Sequence, residues 1–173
     1  MHILTYWLIP AEPARSYFAS VISDLAARFS APVFEPHLTV YATTMGNENG
    51  AALLEEVVTG GQAYSLQISG AGYSNEFTKT VFVRFHANEA LSQLSANFRR
   101  ASTIKDEYQI HPHVSLIYKT MPTGTKAEIA NSVSLPFPEV RFDAAKAVIS
   151  PAEIKSREDV AAWRVMATRK LSG

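Results

Sequence analysis

The sequence predicts an α+β fold in which antiparallel sheets from two lobes line a central cleft, with helices on the outside. Two tetrapeptides, His37–Val40 and His113–Leu116, both read histidine, apolar, hydroxyl, apolar, and their histidines lie 76 positions apart. A helical pattern precedes each tetrapeptide and a short helix follows it, so the chain repeats coarsely. With 173 residues, 47% of them hydrophobic, the chain is long enough for the single bilobal domain that we expect over residues 1–173.

The first half of the chain predicts three strands and two helices. The strand His2–Ile9 contains aromatic and β-branched residues and ends at Pro10. Apolar residues recur at helical spacing over Pro13–Phe29, where the missing N–H of Pro13 does no harm in the first turn. The remaining elements are a strand at 37–43, a polar loop at 45–50, a helix at 51–58 closed by two glycines, and a strand at 64–73.

The second half repeats this order and ends in an extra strand. The helix at 88–100 has Asn88 as its expected N-cap, because an asparagine oxygen accepts from the free N–H groups of a first turn. We interpret the charged stretch at 153–159 as a solvated loop. The other elements are a loop at 74–79, a strand at 80–86, a strand at 113–119, a helix at 122–131, and strands at 139–149 and 161–168.

The amino-acid composition limits the classes of ligand and partner that the protein can have. The formal net charge is zero, from 16 basic and 16 acidic side chains, which argues against DNA or long RNA as a ligand but leaves a small anion open. The absence of cysteine excludes disulfides, thiolate metal sites and cysteine nucleophiles. The apolar start Met1–Pro10 has no basic segment and is too short to span a bilayer. We expect a cytoplasmic monomer that uses no membrane and no cofactor.

The two tetrapeptides carry the chemistry that the sequence predicts. In a strand, residues i and i+2 share a face, so each tetrapeptide sets an imidazole beside a hydroxyl, His37 with Thr39 and His113 with Ser115. Two imidazoles can act as general base and general acid around one reacting group, and the hydroxyls can donate to an anion between them. This set of groups is suited to phosphodiester cleavage without a metal.

The paired motifs resemble those of the two-histidine phosphoesterase superfamily. The second motif extends over His113–Tyr118, which is similar to the His-x-Ser-Leu-x-Tyr of the cyclic phosphodiesterase branch, and Tyr6–Pro10 is similar to that branch's first strand. The resemblance implies a bilobal fold and hydrolysis of 2′,3′-cyclic or 1″,2″-cyclic phosphates of nucleotides, ADP-ribose or RNA ends. The bacterial RNA ligase-like 2′,3′-cyclic phosphodiesterases are a neighbouring branch that the chain also resembles.

The resemblance also implies roles for the four motif residues. One histidine, as neutral imidazole, takes a proton from the attacking water, and the other protonates the leaving ribose oxygen. We assign His37 as the acid and His113 as the base. Thr39 and Ser115 donate to the nonbridging phosphate oxygens, and the product is a 2′-phosphate or, from ADP-ribose cyclic phosphate, a 1″-phosphate.

Three aromatic residues are candidates for binding the substrate. A regular strand puts Tyr118 on the face opposite His113, in the core, but the resemblance favours contact with substrate, which a strand end or a bulge would allow. Tyr41 shares the face of His37 and either walls the cleft or packs in the core. Trp7 has the same two interpretations.

Two alternatives to the metal-independent hydrolase remain, a three-histidine zinc hydrolase and a binding module. His111 with His113 and His37 would supply three nitrogen ligands for zinc, although Pro112 disturbs the strand and no carboxylate has ligand spacing. An RNA-end or nucleotide-binding module without turnover would use the same cleft. Lys79, Arg84 and Lys119 are candidates for positive charge near a phosphate.

Overall fold

The computed structural model describes residues 1–173 and confirms the α+β prediction. The order of elements follows the expected repeat of strand, helix, strand, helix, strand. The elements are β1 (His2–Pro10), α1 (Ala14–Phe29), β2 (Leu38–Thr44), α2 (Gly50–Val58), β3 (Tyr64–Tyr73), β4 (Val81–Phe85), α3 (Glu89–Ala101), β5 (His113–Ile117), α4 (Thr123–Ser132), β6 (Glu139–Pro151), α5 (Arg157–Ala161) and β7 (Arg164–Lys170).

All strand pairs are antiparallel, and they form two three-stranded units of matching order. In one unit β1 pairs with β2 and β6, and in the other β4 pairs with β5 and β3. The two units are joined because Tyr64–Gln67 of β3 pairs with the start of β6, while β7 pairs with the rest of β6. The two expected sheets are therefore two parts of one seven-stranded sheet, since β3 is long enough to pair with both units.

The strands that carry the two histidine motifs each contain a β-bulge at the same place. In β2, Thr39 lies opposite Trp7 and Tyr41 opposite Tyr6, which leaves Val40 as the extra residue. In β5, Ser115 pairs with Phe82 and Ile117 with Val81, which leaves Leu116 as the extra residue. A bulge reverses the inward and outward alternation of the residues after it. Simple alternation from the histidines therefore fails beyond each hydroxyl residue.

A side-chain cap begins three of the five helices, α2, α3 and α5. The Asn88 side chain accepts from the Leu91 N–H, as predicted for α3, and Asn49 caps α2 by accepting from two N–H groups. The expectation of a plain loop at 153–159 is wrong at its end, because α5 begins there. Ser156 accepts from the Asp159 N–H, and the acidic first turn of α5 stabilises the helix dipole.

The main core is a cluster of 35 buried hydrophobic residues that receives side chains from both three-stranded units. Tyr6 of β1 stacks on Phe98 of α3, with ring centroids 4.1 Å apart. A smaller cluster of Trp7, Ile9 and Val148 lies beside β6. No helix combines the length and apolarity needed to cross a membrane.

Candidate active site

A cavity of about 300 Å³ collects most of the residues selected from the sequence. Its walls come from β1, β2, β5, the loop between β3 and β4, and the segment that leads into β7. Six of the seven predicted site residues line it: Trp7, His37, Thr39, His113, Ser115 and Tyr118. The structure thus brings both histidine motifs to one enclosed space.

Tyr41 is the predicted site residue that the structure does not bring to this cavity. It is fully buried, and its hydroxyl donates to the Asp106 carbonyl at 3.0 Å. Its ring meets Tyr108 edge to face, with centroids 5.8 Å apart. The prediction that Tyr41 shares the face of His37 fails because the bulge at Val40 turns it into the core.

Tyr118 reaches the cavity by the same kind of bulge. The extra residue Leu116 reverses the alternation after Ser115, so Tyr118 shares the face of His113 and lines the cavity while remaining part of the buried core. Its ring stacks on Phe34 with centroids 3.8 Å apart and planes 8° apart. Burial raises the pKa of the Tyr118 hydroxyl well above its usual value, and its contact with Ser115 offsets this only in part. Tyr118 therefore stays neutral and can donate a hydrogen bond.

His37 lies immediately before β2 and is 8% exposed. Its Nδ1 is 2.7 Å from the Glu35 carbonyl oxygen, which can only accept, so Nδ1 carries the hydrogen and Nε2 is the free nitrogen of the neutral ring. Burial, with a smaller effect from the charges of His113 and Lys146, lowers the pKa of His37 to about 4 against the hydrogen bond to Glu35. His37 is therefore neutral near pH 7.

His113 opens β5 and repeats this arrangement with more exposure. Its Nδ1 is 2.7 Å from the His111 carbonyl oxygen, so its free nitrogen is also Nε2. Burial lowers the pKa of His113, and the Lys79 charge adds to this, whereas the hydrogen bond to His111 and the carboxylate of Glu76 raise it. The acidic neighbour makes a protonated ring easier to form at His113 than at His37.

The two motif hydroxyls differ in their resting partners. Ser115 Oγ donates to the Thr78 carbonyl at 2.7 Å and is 5% exposed. Thr39 is more exposed, and its hydroxyl makes no hydrogen bond within the protein. Thr39 is thus free to donate to an anion, while Ser115 has to exchange its carbonyl acceptor for one.

Sequence reasoning missed Trp163, which enters the cavity from the segment before β7. Its ring meets His37, Trp7 and Tyr118 edge to face, at centroid distances of 5.7, 5.3 and 5.9 Å. The one signal in the sequence was the rarity of tryptophan: the chain has two, and the other, Trp7, was already a candidate site residue. Both lie in or beside strands that pair with β6, but that pairing is not readable from spacing.

Two lysines support the cavity from outside, and the sequence did not single out either. Lys146 donates to both carboxylate oxygens of Glu35 at 2.8 and 2.6 Å, which anchors the segment that orients His37. Lys126 of α4 is 4% exposed and donates to the Ser74 carbonyl and the Asn75 side chain at 2.9 and 2.7 Å. It thereby holds the loop before β4, which supplies Glu76, Thr78 and Lys79 to the cavity.

The three histidines of the zinc alternative do not form a ligand cluster. His111 is exposed and lines a neighbouring cavity rather than the one that contains His37. No group of three histidine, aspartate or glutamate side chains in the protein has the spacing to hold a metal ion.

Comparisons with known proteins show a family that spans almost the whole chain. The family described as cyclic phosphodiesterase-like protein matches residues 1–171 of this chain. A cyclic phosphodiesterase of Arabidopsis thaliana is 20% identical over 125 residues, which cover 72% of this chain and 69% of that protein.

Solved structures show the same fold at low sequence identity. TT0787 of Thermus thermophilus superposes with a TM-score of 0.63 and 20% identity, covering 99% of this chain and 98% of that one. LigT of E. coli, solved with 3′-AMP, superposes with a TM-score of 0.57 and 16% identity, covering 99% of both chains. The fold is therefore shared along the whole chain, including both lobes of the sheet.

Proposed function

The chain belongs to the cyclic phosphodiesterase-like family, and we propose that it hydrolyses cyclic phosphates of nucleotides, ADP-ribose or RNA ends by general acid–base catalysis with His37 and His113. The bond that breaks lies within a 2′,3′-cyclic or 1″,2″-cyclic phosphate. No metal takes part in the proposed reaction. All the groups that it needs come from one chain, so a monomer with a single bilobal domain suffices.

The observation that carries this proposal is the matched setting of the two imidazoles in one cavity. Each ring has its Nδ1 2.7 Å from the carbonyl oxygen of the residue two positions earlier. Each neutral ring therefore carries its hydrogen on Nδ1 and leaves Nε2 free for proton transfer. A pair of rings with free Nε2 atoms suits a reaction in which one proton is taken and another is given.

The electrostatics favour His37 as base and His113 as acid, the reverse of the roles assigned from the sequence. A base must be neutral in the free enzyme, and burial lowers the pKa of His37 to about 4. An acid must be protonated. Burial lowers the pKa of His113 as well, but the hydrogen bond to His111 and the carboxylate of Glu76 offset part of that effect, so His113 is the easier of the two rings to protonate. A proton on His113 also disfavours one on His37, so protonation of both rings at once is unfavourable.

In the proposed step, His37 Nε2 takes a proton from water as the water oxygen bonds to phosphorus. The phosphorus–oxygen bond to the 3′ oxygen breaks, and His113 Nε2 gives its proton to that oxygen. The product is a 2′-phosphate with a free 3′ hydroxyl, and the two histidines have exchanged their protonation states. Exchange with solvent then restores the resting state.

The hydroxyl groups would stabilise the charge that builds on the nonbridging phosphate oxygens. Thr39 has an unused hydroxyl in the cavity, and Ser115 would turn from the Thr78 carbonyl to the anion. The neutral hydroxyl of Tyr118 and the ammonium of Lys79 line the same space. Trp7, Phe34 and Trp163 enclose these groups with aromatic surface, which excludes water and strengthens each polar contact.

The ligands of a structural relative support a nucleotide as substrate. LigT of E. coli has been solved with 3′-AMP, with NADP+ and with ATP. These ligands share a ribose and at least one phosphate, which is the chemistry that the proposed substrates also present.

The first test is hydrolysis of the four nucleoside 2′,3′-cyclic monophosphates in the presence of a chelator, with 2′- and 3′-phosphate products resolved. Turnover to the 2′-phosphate, unchanged by chelator, is the expected result. Activity that chelator abolishes would refute the metal-independent mechanism. Tight binding without product, on these substrates and on ADP-ribose cyclic phosphate, would favour the nucleotide-binding module instead.

A further inference from the structure

We propose that a second cavity, beside His113, binds an additional phosphate group of the substrate. This cavity measures about 270 Å³ and shares His113 and Lys79 with the first. The inference rests on the proposed function and extends it, because it selects substrates that carry a phosphate beyond the cyclic one. A nucleoside cyclic monophosphate alone would leave this cavity empty.

Strand pairing puts the second cavity on the same face of the sheet as the catalytic groups. Arg84 of β4 lies directly opposite His113 of β5, and Phe82 lies opposite Ser115. Side chains that are directly opposite in an antiparallel pair share a face and lie close together. The guanidinium of Arg84 is therefore carried on the strand next to the proposed acid.

The strand on the other side of β4 leaves this face open. Gly72 of β3 lies opposite Phe82, and Gly70 lies opposite Arg84. A Cβ atom at Gly72 would come within 3.1 Å of the Phe82 ring and 3.3 Å of an Arg84 guanidinium nitrogen. The absence of a side chain at Gly72 thus leaves room for the Phe82 ring and the Arg84 guanidinium, and a larger residue at position 72 would displace them.

Lys79 is held between the two cavities by Phe82. Its ammonium lies 4.9 Å from the centre of the Phe82 ring, close enough for a cation–π attraction. Phe82 also meets the His113 ring edge to face, with centroids 5.5 Å apart. Since Phe82 is 5% exposed, it acts as a support for the cation and the imidazole rather than as a platform for a base.

The positive charges around the second cavity are not neutralised within the protein. The five ion pairs of the structure use other lysines and arginines, so Lys79 and Arg84 have no carboxylate partner. No acidic residue lines this cavity, and Glu76 lines the first cavity but not this one. The one hydrogen bond of the Arg84 side chain is a long one, 3.5 Å to the Ala71 carbonyl. An exposed guanidinium beside an ammonium matches a phosphate dianion or diester.

Two kinds of substrate offer a phosphate at this place. One is a mononucleotide derivative with a phosphate or diphosphate on its 5′ oxygen, and the other is an RNA end with an internucleotide phosphate. Both present the same chemistry to Lys79 and Arg84, one ribose away from the cyclic phosphate. The test separates them.

The experiment compares kcat/KM for three substrates: adenosine 2′,3′-cyclic phosphate, its 5′-phosphorylated form, and a diadenosine dinucleotide ending in a 2′,3′-cyclic phosphate. In the wild-type protein, we expect at least one phosphate-extended substrate to exceed the first by roughly tenfold, which is the range of a hydrogen bond to a charged group. The substrate that gains identifies the source of the phosphate. Arg84→Gln should remove most of the gain, mainly through KM.

The matched control is Arg100→Gln, because Arg100 is an exposed arginine of α3 that lines neither cavity. It makes the same charge change and should keep the wild-type ratio between substrates. Equal ratios in the wild-type, Arg84→Gln and Arg100→Gln proteins would overturn the inference while leaving the proposed function intact. If no substrate is hydrolysed, calorimetric titration compares the affinities for adenosine 2′-phosphate and adenosine 2′,5′-bisphosphate. Equal affinities would overturn the inference whether or not the proposed function holds.

Discussion

His37 and Trp7 stack face to face, with ring centroids 3.7 Å apart and planes 15° apart. Trp7 belongs to β1 and lies opposite Thr39 in the β1–β2 pair, so the first strand packs directly on the first histidine motif. The stacked indole removes one face of the imidazole from water. Because burial is the largest cause of the low pKa of His37, the contact links a packing interaction to the protonation of the proposed base.

Replacing Trp7 with leucine should raise the pKa of His37 toward its ordinary value. Leucine covers less of the imidazole, so the charged ring regains part of its hydration. The measurement is an NMR titration of the His37 ring protons, within the pH range where the amide spectrum remains that of the folded protein. Tyr73→Leu removes an exposed aromatic residue elsewhere and should leave the titration unchanged. An unchanged His37 titration in Trp7→Leu would show that the stacked indole does not cause the low pKa of His37.

The roles of the two histidines can be separated by the leaving group. Alanine at either position should lower kcat by about 10² to 10⁴-fold on a cyclic phosphate, the usual contribution of a positioned acid or base. A phosphodiester with a p-nitrophenolate leaving group needs no proton from an acid. His113→Ala should therefore recover much of its lost activity on that substrate, while His37→Ala should not.

The opposite pattern of rescue would restore the assignment of His37 as acid and His113 as base. Melting temperatures of both variants serve as the control against unfolding, because both side chains are at least partly buried. Full activity of both variants on the cyclic substrate would refute two-histidine catalysis.

The pH dependence of kcat/KM should be bell-shaped, with its optimum on the acidic side of neutrality. Activity should fall as pH drops toward about 4, because His37 becomes protonated and cannot act as base. It should also fall as pH rises through the pKa of His113, which burial lowers below its ordinary value of 6.5. A profile that stays flat up to pH 9 would show that the chemistry does not need a protonated histidine.

Most of the fold and the core of the site were predictable from the sequence, for identifiable reasons. The spacing of apolar residues predicts the helices α1 and α3, and the capping chemistry of asparagine predicts that α3 begins after Asn88. The two motifs repeat, so their meeting in one cavity followed from a fold with two similar halves. Sequence reasoning missed α5, although its cap had a local signal, a serine three residues before Asp159.

The rest depends on interactions that no local pattern encodes. The bulges at Val40 and Leu116 depend on pairing with β1 and β4, and they alone send Tyr41 to the core and Tyr118 to the cavity. Trp163 reaches the cavity because β7 pairs with β6, the strand that also pairs with Trp7. Register between distant strands fixes these positions, and spacing along the chain does not reveal it.

The stability of the protein should fall between about pH 6.5 and pH 4 in a way that His37 controls. The pKa of His37 in the folded protein, about 4, lies below its ordinary value of 6.5, so the unfolded chain binds the proton more tightly in this range. The contribution is complete above pH 6.5 and is lost as pH falls toward 4, to a total of about 3 kcal/mol. Urea unfolding of the wild-type protein and of His37→Asn at several pH values measures it. The variant should lose less stability over this range, and equal losses would show that His37 titrates normally in the folded protein.

Lys126 should position the loop before β4 without touching the substrate. Its ammonium is buried and satisfies the Ser74 carbonyl and the Asn75 side chain, which precede the cavity residues Glu76, Thr78 and Lys79. Lys126→Met fills the same space but leaves both acceptors unpaired, at a cost of about 1.5 to 3 kcal/mol in the free energy of unfolding. A loosened loop also releases the carbonyl that accepts from Ser115, so KM should rise more than kcat falls. Lys155→Met, at an exposed lysine, is the matched control. A variant that melts earlier but keeps the wild-type KM would confine Lys126 to stability, whereas a shifted KM at temperatures well below melting would establish that the α4 helix sets the geometry of the cavity.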